Sequence, residues 1–274
     1  MRPRSTAAPA RRLERLDRLL VQRELAGSVE EAGRLVLAGV IFVNGQRVDK
    51  AGHLVDSGAP VTVAGRAPFV SRGGEKLAHA LDAFGVSPAG RVCVDIGAST
   101  GGFTHCLLVR GAARVYAVDA GYGQMDPKLR GDARVVVRER VNARGLTPAD
   151  FPEPPDLATV DVAFISLQKI LPAVFPCLKD PAEVVSLVKP QFEIGRRAVG
   201  KGGVVREASK HQEVLLKLAR FVVLHGWHVL GVVASPLKGP KGNREFFLHL
   251  SRNGRTPHAL ETVIARAVES GAER

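Results

Sequence analysis

The chain has 274 residues, and its 45% hydrophobic and 24% charged residues are typical of a globular protein with room for one large domain and a smaller one. Lys and Arg outnumber Asp and Glu by 39 to 27, and the formal net charge of +12 suits a polyanionic partner, with a merely basic soluble surface as the equal alternative. The three cysteines form no Cys-x-x-Cys pair, which argues against a zinc site and predicts buried thiols in a reducing cytoplasm.

The chain opens on a segment that differs from the rest in composition. Residues 1–12 are rich in Arg, Ala and Pro and lack an apolar core, so we expect a disordered basic arm rather than a secretory signal. Residues 13–65 then predict a small α+β domain. Leu and Arg alternate at helical spacing, a Ser-x-x-Glu capping box at 28–31 begins a second helix, and Asn-Gly at 44–45 predicts a hairpin.

This small domain resembles the RNA-binding fold named after ribosomal protein S-four. The resemblance rests on the amino-acid sequences at 15–20 and at 38–45, and it covers the chain from residue 15 to residue 65. On physical grounds alone, arginines on an amphipathic helix are more often a solvated face than an RNA contact. The resemblance implies that four of them face an RNA backbone: Arg15, Arg18, Arg34 and Arg47.

After a short linker at 66–70, strands and helices alternate from residue 71 to residue 252. We predict strands at 92–96, 114–119, 134–138, 157–161, 183–189, 228–234 and 244–250, and helices at about 74–84, 102–110, 167–178 and 206–225. This βαβ pattern is typical of a doubly wound, Rossmann-like α/β sheet. The last two strands are joined by a loop without a helix, which predicts an antiparallel pair at the sheet edge. The tail at 253–274 predicts one short helix.

A glycine-rich turn follows the first strand of this sheet and reads Asp-x-Gly-x-x-x-Gly-Gly. A strand, a glycine-rich turn and a helix bring backbone N–H groups and a helix N-terminus to one point, where a ligand can lie against bare backbone. The pattern is neither Gly-x-Gly-x-x-Gly nor a P-loop. Its carboxylate would repel a diphosphate but suits an ammonium group such as that of S-adenosylmethionine. The predicted contacts are Asp95, Gly97, Ala98, Ser99, Thr100, Gly101, Gly102 and Phe103.

A second acidic residue supports this cofactor. Asp119 ends the next strand, about 20 residues after the first glycine, where an acid commonly accepts hydrogen bonds from ribose hydroxyls. Two alternatives stay open at this point: a glycine-rich turn that binds nothing, and a nicotinamide site, which fits less well.

Charged residues at the strand ends indicate the chemistry. Asp161 and Lys189 each end an apolar strand, Glu245 begins the last strand, and Lys76 opens the first helix of the large domain. For each charge alone, a structural ion pair is the competing interpretation. Together with a methyl donor they suit methylation of a ribose 2′-hydroxyl. In this hypothesis Lys189 is the base or stabilises the forming oxyanion, and the role of base requires a pKa below the usual ~10.4 of lysine.

In the same hypothesis Lys76 lowers the pKa of Lys189 and steadies the alkoxide, while the two carboxylates orient the lysines. Loops beside the strand ends also carry basic side chains, and phosphate contacts of this kind fix register without reading sequence. As RNA contacts we predict Arg72, Arg196, Arg197, Lys201, Lys238 and Lys241, with Lys128, Arg130, Arg206 and Arg244 in the same loops.

The four charged residues resemble, in order and setting, the Lys-Asp-Lys-Glu tetrad of FtsJ-like 2′-O-ribose methyltransferases. Nearly the whole chain after residue 12 resembles the TlyA family, also called hemolysin A, in stretches at 70–74, 115–124, 188–193, 202–206 and 238–243. The resemblance implies S-adenosylmethionine-dependent methylation of a cytidine ribose in rRNA of ribosomal subunits. It further implies that Asp119 holds the cofactor ribose, that Asn142 lies near the adenine, and that Asp161 also contacts the cofactor.

Three rival functions remain. A membrane-active haemolysin lacks support, because the most apolar stretch, 221–234, is interrupted by His and Gly and is shorter than the ~20 residues that span a bilayer. A non-catalytic RNA-binding or ribosome assembly factor would not need the tetrad. A base methyltransferase commonly uses a Cys or an Asn-Pro-Pro-Tyr-like loop, and neither follows Asp161. We expect no metal and no membrane partner; target nucleotide, subunit preference and oligomeric state stay open.

Overall fold

The computed structural model describes residues 13–23, 25–64, 68–195 and 199–271, apart from the side chains of Lys201 and Pro240. The basic arm expected at 1–12 lies outside the described residues, as does part of the linker. The chain divides into two compact units, Met1–Ala67 and Pro68–Arg274.

The smaller unit contains two helices and short strands around an apolar core. Its elements are β1 (Leu13–Arg15), α1 (Leu16–Gln22), α2 (Val29–Leu37), β2 (Ile41–Val43), β3 (Gln46–Arg47), β4 (Leu54–Asp56) and β5 (Val61–Val63). Strand β2 pairs with β3 and β5, and β1 pairs with β4, all antiparallel. Leu16 and Leu20 of α1, Val36 of α2 and Ile41 of β2 are fully buried together.

Two local predictions for this unit are confirmed. The Ser28 hydroxyl accepts a hydrogen bond from the Glu31 backbone N–H at 3.1 Å, as a helix N-cap does. Asn44 and Gly45 have φ angles of 51° and 77°, the left-handed pair that a tight turn between β2 and β3 requires.

The larger unit is an α/β sandwich. Its elements are α3 (Arg72–Phe84), β6 (Val92–Ile96), α4 (Gly102–Val109), β7 (Arg114–Val118), α5 (Pro127–Arg130), β8 (Val135–Arg138), β9 (Leu157–Val160), α6 (Leu171–Val174), β10 (Glu183–Val188), α7 (Pro190–Glu193), α8 (Ala208–Leu224), β11 (His228–Ala234), β12 (Phe246–Ser251) and α9 (Leu260–Ser270). The strands form one sheet in the order β11-β12-β10-β9-β6-β7-β8.

Strand direction in this sheet confirms the predicted Rossmann-like architecture. Strands β8, β7, β6, β9 and β10 are parallel, whereas β12 runs antiparallel between β10 and β11. Helices cover both faces, so the central strands are buried on both sides and read as continuous apolar runs. Along β6 the side chains alternate: Val94 and Ile96 join the core beneath α8, whereas Cys93 joins the core beneath α3 and α4.

One predicted helix is wrong. The segment 167–178 is broken into a 3₁₀ turn, the single turn of α6 and a second 3₁₀ turn. Pro172 and Pro176 explain the break, because each lacks the backbone N–H that a continuous helix would use. The tail helix is present as α9.

Other expectations concerned cysteines, membranes and metals. Cys93, Cys106 and Cys177 are buried free thiols, as predicted. Among the described residues, no helix has the length and apolarity that a membrane crossing requires. Within the same ranges, no cluster of His, Cys, Asp and Glu side chains has a geometry that could hold a metal ion.

Candidate active site

The glycine-rich turn at the carboxyl end of β6 has the backbone conformation that its glycines allow. Gly97 and Gly101 have φ angles of 86° and 94°, and Ser99 between them is also left-handed, at 49°. A Cβ atom on Gly97 would lie 2.2 Å from the backbone oxygen of Asp161. Only glycine therefore lets the turn pack against the end of the neighbouring strand β9.

A cleft of about 710 Å³ opens beside this turn, across the carboxyl ends of β6, β7 and β9. Its volume is in the range of cavities that enclose a nucleoside-sized ligand. Predicted site residues that line it are Gly97, Ser99, Asp119, Asn142, Asp161 and Lys189. The remaining lining is formed by Ile96, Val118, Ala120, Gly121, Gln124, Val141, Ala143, Arg144, Val162, Ala163, Phe164, Ile165 and Ile170.

Several residues of the turn do not line the cleft. Gly101 packs against Met125 and Leu129, Gly102 against the first turn of α3, and the ring of Phe103 stacks on Phe247 at 6.1 Å. Ala98, which is buried, and Thr100, which is exposed, do not line the cleft either. The cofactor contacts predicted for them stay predictions.

Asp119 is fixed by backbone groups of two loops. One carboxylate oxygen accepts from the Ser99 N–H at 2.8 Å, and the other accepts from the Gly121 N–H at 2.6 Å. Each oxygen keeps a second lone pair for an outside donor. A hydroxyl-bearing ligand in the cleft would meet an oriented, partly exposed carboxylate.

Asp95 requires a correction, because the structure places its carboxyl group away from the cleft. The side chain is 0% exposed and accepts hydrogen bonds from the hydroxyls of Thr104, at 2.7 Å, and Thr159, at 3.1 Å. Burial raises the pKa of Asp95 to about 7. The physical reason is strand alternation: Asp95 shares with Cys93 the face beneath α4, so it cannot directly contact the ammonium group predicted for it.

The four residues of the predicted tetrad form two ion pairs. Lys189 Nζ lies 2.5 Å from Asp161 Oδ1, and Lys76 Nζ lies 2.6 Å from Glu245 Oε2. The pairs share one edge of the sheet, because Lys189 follows Val188 and Glu245 precedes Phe246, and these two residues are directly opposite each other in β10 and β12.

The two pairs differ in whether they line the cleft, although the Lys76 side chain, 13% exposed, is as accessible as that of Lys189. Asp161 and Lys189 line the cleft, with side chains 23% and 14% exposed. Lys76 and Glu245 do not line it, and the Glu245 side chain is completely buried. Only the first pair is therefore presented directly to whatever occupies the cleft.

Sequence reasoning missed Phe164. Its side chain is 90% exposed at the cleft, its φ angle is 64°, and its ring centroid lies 5.1 Å from that of Phe192. A bulky residue with positive φ is uncommon and marks a locally imposed conformation. In the sequence it reads as the apolar continuation of β9, so no pattern signal identifies it.

Ten residues were predicted to contact RNA with the small domain or the sheet-edge loops, and the structure describes the side chains of seven of them. The described ones are exposed: Arg15, Arg18, Arg34 and Arg47 in the small unit, and Arg72, Lys238 and Lys241 in the large one. Arg15 is ion-paired with Asp17 at 2.6 Å. Outside the described residues lie Arg196, Arg197 and the side chain of Lys201.

The chain matches two known families. The FtsJ-like methyltransferase family matches residues 69–252, and the S4 domain matches residues 14–61. A Bacillus subtilis protein called "Putative rRNA methyltransferase YqxC" is 49% identical over 86% of this chain and 85% of its own length.

A Mycobacterium tuberculosis protein is named "16S/23S rRNA (cytidine-2′-O)-methyltransferase TlyA". It is 46% identical over 95% of this chain and 99% of its own. The solved structure "Putative hemolysin from Streptococcus thermophilus" is 43% identical, with a TM-score of 0.73, and the match covers 96% of this chain and 97% of that one. The similarity therefore extends over both units of the chain.

Proposed function

The chain belongs to the TlyA, or hemolysin A, family, in which an S4 domain precedes an FtsJ-like methyltransferase domain, and we propose that it methylates the 2′-hydroxyl of a cytidine ribose in rRNA. The methyl donor of this family is S-adenosylmethionine. The observation that supports the proposal most directly is the Lys189–Asp161 pair at the opening of the cleft.

The residues of the cleft suit S-adenosylmethionine. Asp119 presents a fixed carboxylate to ribose hydroxyls, and Asn142 offers an amide beside the apolar side chains of Val118 and Val141, which suit an adenine ring. Gly97 lets the ligand approach the backbone closely. When bound, the cofactor supplies an electrophilic methyl group; all other roles fall to side chains.

Lys189 is the side chain proposed to act on the ribose oxygen. Its Nζ lies at the cleft, held by Asp161, where it would take the hydroxyl proton or stabilise the forming oxyanion. Lys76 is proposed to support this site from behind, since its partner Glu245 adjoins Lys189 across β10 and β12. A fixed pair of this kind aligns the hydroxyl oxygen with the methyl group.

RNA contact is proposed for two kinds of surface. The exposed arginines of the small unit and Arg72, Lys238 and Lys241 of the large unit would contact phosphates, which sets affinity and register. The exposed ring of Phe164 offers a stacking surface for the base attached to the reacting ribose. The substrate would be rRNA within ribosomal subunits, and the place of action the cytoplasm.

The test is methyl transfer from a labelled donor to each ribosomal subunit and to free rRNA separately, followed by digestion to nucleosides. We expect label in 2′-O-methylcytidine. Label in a methylated base would contradict ribose specificity. RNA binding without any label would instead favour a non-catalytic assembly factor, and leakage of pure lipid vesicles without methyl donor would favour a membrane-active protein.

A further inference from the structure

We infer that Glu193 is a positioning residue for methyl transfer, which holds the loop that carries Asp161 against the loop that carries Lys189. The inference rests on the proposed function and extends it to a residue outside the cleft. Glu193 is the last residue of α7 and does not line the cleft.

Both side-chain hydrogen bonds of Glu193 reach the loop that follows β9. Its Oε2 accepts a hydrogen bond from the Ser166 hydroxyl at 2.6 Å, and its Oε1 accepts from the Leu167 backbone N–H at 2.7 Å. The residue is 8% exposed. Both carboxylate oxygens are thus used, in short bonds of the charge-assisted kind.

These bonds close a ring with the Asp161–Lys189 pair. Asp161 and Ser166 lie on one loop, and Lys189 and Glu193 lie on the other, so two short segments are joined at both ends. The Asp161–Lys189 ion pair faces the cleft, whereas the hydrogen bonds of Glu193 do not. Loss of the Glu193 hydrogen bonds would displace the Lys189 ammonium group relative to the cleft without removing any group that contacts a ligand.

Phe164 lies between Asp161 and Ser166 in the chain, and its backbone conformation shows why this loop is held at both ends. Its φ of 64° is unfavourable for an aromatic residue and persists only where neighbours fix the backbone on both sides. Asp161 precedes it with the ion pair to Lys189, and Ser166 and Leu167 follow it with their bonds to Glu193.

Two donors of the loop account for a carboxylate at this position. Burial raises the pKa of Glu193, whereas its bonds with Ser166 and Leu167 and the charge of Lys217 favour the carboxylate. An apolar side chain would pack at less cost, but it could not accept from both the hydroxyl and the N–H. The carboxylate of Glu193 therefore fixes the position of the loop at Ser166 and Leu167.

The experiment compares three variants that loosen the tie to different degrees. Ser166→Ala removes the donor to Glu193 and also the acceptor of the Gln168 N–H at 3.2 Å. Glu193→Gln keeps an acceptor for the Leu167 N–H and can still contact the Ser166 hydroxyl, whereas Glu193→Ala removes both bonds. The matched control is Ser251→Ala at the opposite end of the sheet. Ser251 is a buried serine that donates to the Ala182 carbonyl at 3.1 Å and accepts from the Asn253 N–H at 3.2 Å.

We expect kcat to fall about 10-fold in Ser166→Ala and about 100-fold in Glu193→Ala, the scale of a small misplacement of reacting groups. Glu193→Gln should retain more activity than Glu193→Ala. KM for rRNA and the calorimetric Kd for S-adenosylmethionine should stay within roughly 3-fold, since no ligand contact is lost. Ser251→Ala should lower the unfolding temperature while leaving kcat unchanged.

Hydrogen exchange gives a readout that does not depend on turnover. In Glu193→Ala the amide of Leu167 should exchange faster, while amides of β6 stay protected. The inference is overturned if Glu193→Ala and Ser166→Ala keep the wild-type kcat, or if kcat falls no more than in Ser251→Ala. A wild-type chain that transfers no methyl group would overturn the proposed function instead, with the Leu167 exchange still reporting whether Glu193 holds the loop.

Discussion

Lys189 and Asp161 form a 2.5 Å ion pair at the point where two neighbouring parallel strands end. In an open parallel sheet this edge is where ligands gather. The pair lines a cleft that also contains the carboxylate of Asp119. Lys189, proposed to act on the ribose, and Asp119, proposed to hold the cofactor, therefore line the same cleft.

Removing Lys189 should abolish most of the chemistry without unfolding the protein. In Lys189→Ala we expect methyl transfer to fall by ~10²–10⁴, the usual contribution of a positioned proton acceptor. The Kd for S-adenosylmethionine should change only a few-fold. Lys179→Ala is the matched control, because Lys179 is also ion-paired, with Asp156 at 2.8 Å, and does not line the cleft. Near-full activity in Lys189→Ala would remove Lys189 from the proposed mechanism.

Lys76→Ala should behave differently from Lys189→Ala. It leaves the fully buried Glu245 carboxylate without its cation, a change that typically costs ~3–5 kcal/mol of unfolding free energy. We therefore expect a large fall in the urea midpoint together with the loss of activity. Lys76→Ala with wild-type stability would show that the Glu245 carboxylate is not confined as the structure indicates.

Asp119 should govern cofactor affinity rather than turnover. Asp119→Ala removes the acceptor proposed for the ribose hydroxyls, and lost hydrogen bonds to a charged group cost ~1.5–3 kcal/mol, or roughly 10- to 150-fold in Kd. Calorimetry with S-adenosylmethionine measures this directly. Asp132→Asn serves as the control, since Asp132 binds Arg134 away from the cleft. An unchanged Kd in Asp119→Ala would contradict the assignment.

Asp95 should make the protein less stable as the pH rises. Its folded-state pKa of about 7 lies above the ordinary value, so between pH 4 and 7 the folded chain holds a proton that the unfolded chain has lost. The free energy of unfolding should therefore fall across that window, by ~4 kcal/mol at most at 1.4 kcal/mol per pKa unit.

Asp95→Asn tests this slope. An amide can still contact both threonine hydroxyls but carries no charge, so the variant should match the wild type near pH 4 and exceed its stability at pH 8. Urea unfolding at several pH values provides the measurement. Parallel stability curves for the two proteins would show that Asp95 ionises normally.

Glu183, at the amino end of the sheet, should have the opposite pH dependence. His249 donates to one of its oxygens at 2.7 Å and Arg91 donates to the other at 2.5 Å, which lowers the pKa of Glu183 to about 2. Its stabilising contribution is complete above pH 4.5 and is lost as the pH falls through 2.

In Glu183→Gln we expect ~1–3 kcal/mol less unfolding free energy at pH 7, a difference that shrinks toward pH 2, with cofactor affinity unchanged. Glu153→Gln is a matched control: its bond to Arg114 is also 2.5 Å long but exposed, and exposed pairs contribute ~1 kcal/mol or less. Equal losses in the two variants would contradict the contribution assigned to burial.

The sequence predicted what depends on local pattern. The alternation of strands and helices along the chain predicted the Rossmann-like sheet, and Gly97 and Asp119 were identifiable by their spacing. Asp161, Lys189 and Glu245 stood out because each adjoins an apolar strand. A strand end is a position at which a charge can reach solvent at one edge of the sheet, so this inference required no tertiary information.

What depends on direction or on long-range pairing was not predictable. Asp95 was expected to face the ligand, but the sequence does not reveal which face of β6 meets α4. Glu193 could be seen only as part of a charged motif, because its partners, Ser166 and Leu167, follow a different strand. The left-handed backbone of Phe164 is imposed by those same distant contacts, and residue type alone argues against it.

The position of β12 links completion of the fold to completion of the proposed active site. Lys76 and Glu245 are 169 residues apart in the chain, and Glu245 reaches its lysine only when the reversed strand enters between β10 and β11. The residues that line the cleft are all synthesised before that strand. During synthesis, therefore, every residue that lines the cleft is added to the chain before Glu245, and the Lys76–Glu245 pair is the last part of the proposed site that can form.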